Sequence, residues 1–187
     1  VTPALKPAWA TIPPVLANTT FGVDQWGVVR QSITVGKSIS NANTTGEYIT
    51  EALNSSWGIL TSQHTVGKSY VDATGTVYGG SYETFAGIAV TPALKPAWAT
   101  VPAVLANTTY GVDKWGVVRQ SITVGKSISN ANTTGEYITE ALNSEWGILS
   151  SQHTVGKSYV NATGRVSGEY ETLANTAAVV LVATAGR

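Results

Sequence analysis

The Gly-Lys-Ser triplets are the residues with the most obvious chemical promise. TVGKS occurs four times, at residues 34–38, 65–69, 123–127 and 154–158. Gly-Lys-Ser closes the phosphate-binding P-loop, but that loop needs another glycine five positions before its last one, so that backbone amides can wrap a phosphate. Gln31, Ser62, Gln120 and Ser151 stand at those positions. The residues after each copy do not open a good helix either. TVGKS is therefore expected to be a structural word: a strand reaching a glycine turn, with the lysine facing water.

Other chemistries find as little support. His64 and His153 are the two histidines and occupy equivalent places in a duplicated sequence. One imidazole per half cannot build a His-rich metal site. No G-x-S-x-G elbow marks a nucleophile. Glu47 and Glu51, repeated as Glu136 and Glu140, would share a helix face and could do paired-carboxylate chemistry, but a solvated face explains them more simply. Asp24 lies in no Asp-rich calcium loop. The expectation is no enzyme, no catalytic residue, no metal and no cofactor.

Composition narrows the class. The chain of 187 residues has no Cys and no Met, a net charge of zero, and 12% charged residues, about half the usual share of roughly 25%. Absent cysteine excludes disulfides and thiol catalysis. The absence of a basic stripe argues against nucleic acid. No apolar run reaches membrane-spanning length. A surface of hydroxyls and amides suits an extracellular or cell-surface protein, and Val1 with no methionine fits a processed terminus. Asn-X-Ser/Thr sequons at Asn18, Asn43, Asn54, Asn107, Asn132 and Asn161 are candidate glycosylation sites in that setting.

Duplication is the strongest organising signal. Residues 1–11 return unchanged at 90–100, and the match continues at an offset of 89 for most of the unit. Inside each unit, Trp-Gly followed by two aliphatics leads to TVGKS twice, from Trp26 and again from Trp57. Alternation predicts strands over 25–36 and 57–66, and further β-rich runs over 68–73 and 76–86. GEYITEALN, starting at Gly46, can alternate as a strand or make about two helical turns, and a short helix is the expectation because Glu, Ala and Leu are good helix formers. The predicted fold is all-β with at most a short helix per unit, as two tandem β-sandwich-like domains, 1–89 and 90–187. Trp9, Trp26, Trp57 and their equivalents Trp98, Trp115 and Trp146 are expected to anchor the cores.

The function expected is that of an extracellular structural protein, a subunit of a filament, pilus or surface layer. Its leading segment is extended and proline-bearing, and its twin lies between the two units. If each domain lacks a strand, the internal copy completes the first domain and the leading copy completes a neighbour's second domain. The partner-binding residues would be Val1, Ala4, Leu5, Trp9, Ile12, Val15 and Leu16, and the partner another copy of the chain. The second expectation is a bivalent carbohydrate-binding protein, with glycans as partners and aromatic rings as stacking platforms.

Overall fold

The computed structural model describes residues 7–9, 22–72, 74, 77–87, 96–98, 111–160 and 164–175 of the 187. Its eight strands are β1 (Gln31–Ser40), β2 (Asn43–Asn54), β3 (Leu60–Tyr70), β4 (Tyr78–Ala86), β5 (Gln120–Ser129), β6 (Asn132–Asn143), β7 (Leu149–Tyr159) and β8 (Val166–Asn175). They follow one another in one antiparallel sheet, β1-β2-β3-β4-β5-β6-β7-β8. No described residue is helical. The all-β expectation holds. The facing sheets of a sandwich have no counterpart among the described strands.

The segment expected as a helix lies in β2. Its helix formers are outvoted by a period-2 alternation that places Glu47, Ile49 and Glu51 on one face and Tyr48 and Thr50 on the other, and strands on both sides complete its hydrogen bonds. TVGKS is not a strand exit but the middle of every odd-numbered strand. Each copy lies opposite a Gly-x-Tyr-x-Thr segment of an even-numbered strand, with Gly36 facing Tyr48, Gly67 facing Tyr82, Gly125 facing Tyr137 and Gly156 facing Tyr170.

This pairing lines up rows of like residues across the sheet. Thr34, Thr50, Thr65, Thr84, Thr123, Thr139, Thr154 and Thr172 form an unbroken ladder. Hydroxyls meet across it at 2.8 Å (Thr50–Thr65), 2.8 Å (Thr84–Thr123) and 2.9 Å (Thr139–Thr154). Beside it, each tyrosine ring lies over the glycine opposite, in the space a Cβ there would need. The strand centres on this face carry Ser, Gly, Tyr, Thr, Ala and Gln and no charge. The opposite face carries the aliphatic row and the ions. Lys37 faces Glu47, Glu47 faces Lys68, Lys126 faces Glu136, Glu136 faces Lys157, and Lys157 faces Glu169.

The core lies on the charged face, at the join of the two repeats. Phe85, Ile122, Val124 and Ile138 form its buried cluster, with Trp98 and Val155 packed against them. β4 of the first unit pairs with β5 of the second from Gly80↔Ser127 to Phe85↔Ile122. The hairpins β1–β2 and β5–β6 turn through Asn41-Ala42 and Asn130-Ala131, all four at positive φ, as a two-residue turn matched to strand twist requires.

The ring over each glycine predicts a cost for a single methyl. Gly125→Ala should push the Tyr137 ring off the sheet and destabilise the fold by about 1 to 3 kcal/mol, the usual penalty of overpacking. Urea unfolding beside an exposed control such as Gly27→Ala, where a Cβ meets nothing within 4 Å, checks it. Strain of Gly27's φ of 79° should leave the control cost near 1 kcal/mol.

Candidate functional site

Four tight turns stand along one end of the sheet, each displaying a tryptophan. In the first, Asp24 Oδ1 accepts the amides of Trp26 (2.9 Å) and Val28 (3.0 Å), and Gly27 N–H donates to the Asp24 carbonyl. Ser55 Oγ does the same for Trp57 and Ile59, Asp113 for Trp115 and Val117, and Ser144 for Trp146 and Ile148. The glycine after each tryptophan has φ between 74° and 81°, the left-handed conformation that closes such a turn without a Cβ penalty.

The turns are evenly set. The first is flanked by the Val23↔Val29 bridge, the second joins β2 to β3, the third is flanked by Val112↔Val118, and the fourth joins β6 to β7. Each leans on the one before. Positions on Gly58, Gly116 and Gly147 where a Cβ would sit come within 3.3 Å of Val28, 3.1 Å of Ile59 and 3.5 Å of Val117. Neighbouring turns are therefore two strands apart, about 9 to 10 Å. The tryptophans are 82%, 84%, 73% and 79% exposed in chain order. They do not anchor the core as the sequence reading expected, because the turn tip aims them beyond the sheet. An open cleft of about 740 Å³ lies between the first two, lined also by Asp24, Gln25, Val28, Arg30 and Ser56.

The turn chemistry was legible. Asp or Ser two residues before Trp-Gly is an Asx or Ser turn followed by a left-handed glycine. Taking Trp-Gly as the start of a strand concealed it.

The proline-bearing segments contribute the other two tryptophans, and these are seated. Pro7 and Pro96 are fully buried. Trp9 Nε1 donates to Glu47 Oε2 at 3.1 Å, Tyr70 Oη donates to the same oxygen at 2.6 Å, and Lys37 Nζ lies 3.0 Å from Oε1. In the second half Trp98 Nε1 donates to Glu136 Oε2 at 3.2 Å, Tyr159 Oη donates at 2.7 Å, and Lys126 lies 3.1 Å away. Lys68 and Lys157 sit over the Trp9 and Trp98 rings at 4.8 and 5.2 Å. The TVGKS lysines are thus engaged with carboxylates and rings, not simply facing water. Trp98 hydrogen-bonds to Glu136 and Tyr159 of the second half and packs against the cluster that Phe85 of the first half shares. Val1, Ala4, Leu5, Ile12, Val15 and Leu16 lie outside the described residues.

Burial pushes Glu47 and Glu136 up, but hydrogen bonds from Tyr70 and Tyr159, from Lys37 and Lys126, and from Trp9 and Trp98, with the lysine charges, outweigh it and hold both carboxyls below their ordinary value. Tyr70 is pushed up to about 12, first by burial and then by its bond to Glu47.

His64 and His153 pair with Glu83 and Glu171 at 2.8 and 2.7 Å. Among the described residues no group of three His, Asp or Glu side chains could hold a metal ion, and no helix is long and apolar enough to cross a membrane. Of the sequons, Asn43 and Asn132 open β2 and β6, and Asn54 closes β2. Asn54 Nδ2 donates to the Val29 carbonyl at 3.0 Å, and Asn132 Nδ2 to the Asn130 carbonyl at 3.1 Å. Asn18, Asn107 and Asn161 lie outside the described residues. No protein-family model, curated protein or solved structure matches this chain.

The two carboxylates predict an acid-labile fold. Their folded values lie below the unfolded ones, so the stability they contribute is full above the ordinary 4.5 and is lost as pH falls through the lower folded value. Glu136→Gln should cost about 1 to 3 kcal/mol at pH 7, the range for a charged hydrogen bond. The Glu47→Gln/Glu136→Gln double variant should lose much of the acid sensitivity. Urea unfolding across pH 3 to 7, a range set by the carboxylate values, measures both.

Proposed function

We propose that this chain is an extracellular structural protein, a subunit of a filament, pilus or surface layer that lengthens head to tail by adding strands edge to edge. The observation that supports it most is the β4–β5 ladder. One repeat joins the next there by continuing the sheet, and the buried cluster of Phe85, Ile122, Val124 and Ile138 lies at that join. The low charge and the hydroxyl- and amide-rich surface suit the extracellular setting.

The outer edges of β8 and β1 are the two halves of the same join. Duplication makes Tyr170 the equivalent of Tyr82 and Gly36 the equivalent of Gly125. Transferring the β4–β5 register sets Gly168 against Ser38 of a second copy, Glu169 against Lys37, Tyr170 against Gly36, Thr172 against Thr34 and Leu173 against Ile33. Burial agrees with that reading. Phe85 is 1% exposed and Ile122 0%, whereas Leu173, the counterpart of Phe85, is 44% exposed. Glu169 replaces Ser81 and extends the alternation of charge toward Lys37. Because the two edges differ, the contact is heterologous and does not close on a pair. Among the described residues no strand covers either edge.

The chain has no cysteine, so a Thr34→Cys/Thr172→Cys variant reports the joint directly. Oxidation should give a ladder of covalent multimers, and Ser38→Cys/Thr172→Cys, out of register, should give few. Electron microscopy should show fibres or sheets whose growth depends on protein concentration. A chain that stays monomeric in sedimentation at high concentration overturns the structural reading. Fibres that vanish on deleting residues 1–16, without in-register cross-links, overturn the edge joint and restore the leading segment as donor.

A further inference from the structure

We infer that the tryptophan rim is a binding site for a neutral, linear polysaccharide, with Trp26, Trp57, Trp115 and Trp146 as successive stacking platforms. This goes beyond the structural role and rests on different residues.

A large aromatic side chain that stays exposed forgoes the favourable free energy of burial. Four of them, each 73% to 84% exposed and each held on a pinned turn, make a patterned apolar surface of the kind that marks an interaction site. Their spacing says what shape of ligand fits. The turns that carry the rings recur every two strands, about 9 to 10 Å apart at the sheet, so the surface is extended rather than a pocket. It suits a long ligand that repeats, not a compact one.

Charge and hydrogen-bonding groups narrow the chemistry. The ionisable residues in and beside the turns are Asp24, Arg30, Asp113, Lys114, Arg119 and Glu145, three acidic and three basic. Asp24 pairs with Arg30 and Asp113 with Arg119, both at 3.6 Å. A rim with no net charge offers no electrostatic attraction to nucleic acid or anionic lipid. Neutral sugars need none. A pyranose presents one face of C–H groups, whose weakly positive hydrogens lie well against the negative face of an indole, and hydroxyls around its edge. Gln25 and Ser56, which line the cleft between Trp26 and Trp57, are neutral hydrogen-bonding partners for such an edge.

The two halves differ at both of these positions. Ser56 is replaced by Glu145. Gln25 is replaced by Lys114, whose ammonium lies 5.2 Å from the centroid of the Trp115 ring. A sugar must displace that cation before stacking there, so the first pair of turns is the tighter half of the rim. The spacing of the turns also sets a length rule. A disaccharide reaches little beyond one platform, while a longer chain engages several at once and gains by effective concentration.

Retention on microcrystalline cellulose and on chitin, with tryptophan fluorescence titrated against soluble glucan fragments of increasing length, tests the inference. Binding should tighten with chain length, and Trp57→Ala should weaken it at least about fivefold, the loss expected for an aromatic anchor. Trp57→Phe should retain part of it. Trp115→Ala should cost less than Trp26→Ala. Since these side chains are exposed, the variants should unfold like the parent, which urea titration checks. Three outcomes overturn the site: no retention on any neutral polysaccharide, retention unchanged when all four tryptophans are replaced by alanine, or a rim that binds phosphatidylcholine vesicles instead. Loss of self-association in the fourfold variant, with no loss of glycan binding, would assign the rim to contact between copies and overturn it as well.

Discussion

A tyrosine ring can lie flat across a β-sheet only where the residue opposite has no side chain. Each Gly in TVGKS supplies that place, and each Tyr of the facing Gly-x-Tyr-x-Thr segment fills it. A slip by one residue would set the ring against valine or lysine and turn the whole strand to its other face. The glycines thus determine the register, and the register determines the rest. Threonine meets threonine, lysine meets glutamate, and valine meets isoleucine or a glutamate that is itself engaged by histidine. A glycine in a strand interior ordinarily weakens it. Here the aromatic ring above restores the packing that the missing Cβ gives up.

The same register explains why the two repeats merge. Every even-numbered strand sets a tyrosine and a threonine against the glycine and threonine of its neighbours, so β4 meets β5 in the register with which β2 meets β1, although Ser81 stands in β4 where β2 has Glu47. The tyrosine–glycine and threonine–threonine pairs are the same within a repeat and across the boundary. Burial then favours the join, because only there is an aromatic residue, Phe85, set beside Ile122 with Trp98 packed on the cluster. A sheet built this way has no inherent last strand, and its open edges are what ordinary proteins take trouble to block. Here one edge strand carries the Gly-x-Tyr-x-Thr pattern of β4 and the other the TVGKS of β5.

Confining charge to one face has a structural reason. Lys37, Glu47, Trp9 and Tyr70 form one hydrogen-bonded group, and Lys126, Glu136, Trp98 and Tyr159 its copy. Each carboxylate is largely buried, which is affordable only with several donors in place. The proline-bearing segments supply one of those donors to each group, so they clamp the sheet on which they rest. The opposite face is left uncharged, and the end of the sheet is left to the tryptophan turns. A single sheet thereby offers three separate surfaces: two edges that no described strand covers, a clamped ionic face, and an aromatic rim.

Much of this was written in the sequence, because local rules wrote it. Duplication, the all-β class, the alternation in residues 25–36 and 57–66 and the failure of TVGKS as a phosphate loop all follow from spacing and composition. Three short-range signals went astray. TVGKS suggested a strand exit, but a neighbouring strand pairs along it throughout, and it lies inside β1, β3, β5 and β7. Glu, Ala and Leu in 47–54 suggested a helix, but intrinsic preference is weak beside two flanking strands that satisfy every backbone group. Trp-Gly suggested a core anchor, although the Asp or Ser two residues earlier already specified a turn. What no local rule could supply was which strand lies beside which. The choice between two small domains and one continuous sheet depends on whether β4 finds β5, a contact between segments about a third of a repeat apart in the chain. It is decided by side chains that become neighbours only when the sheet exists. Tryptophan exposure is decided in the same way, since burial belongs to a residue's surroundings and not to its type.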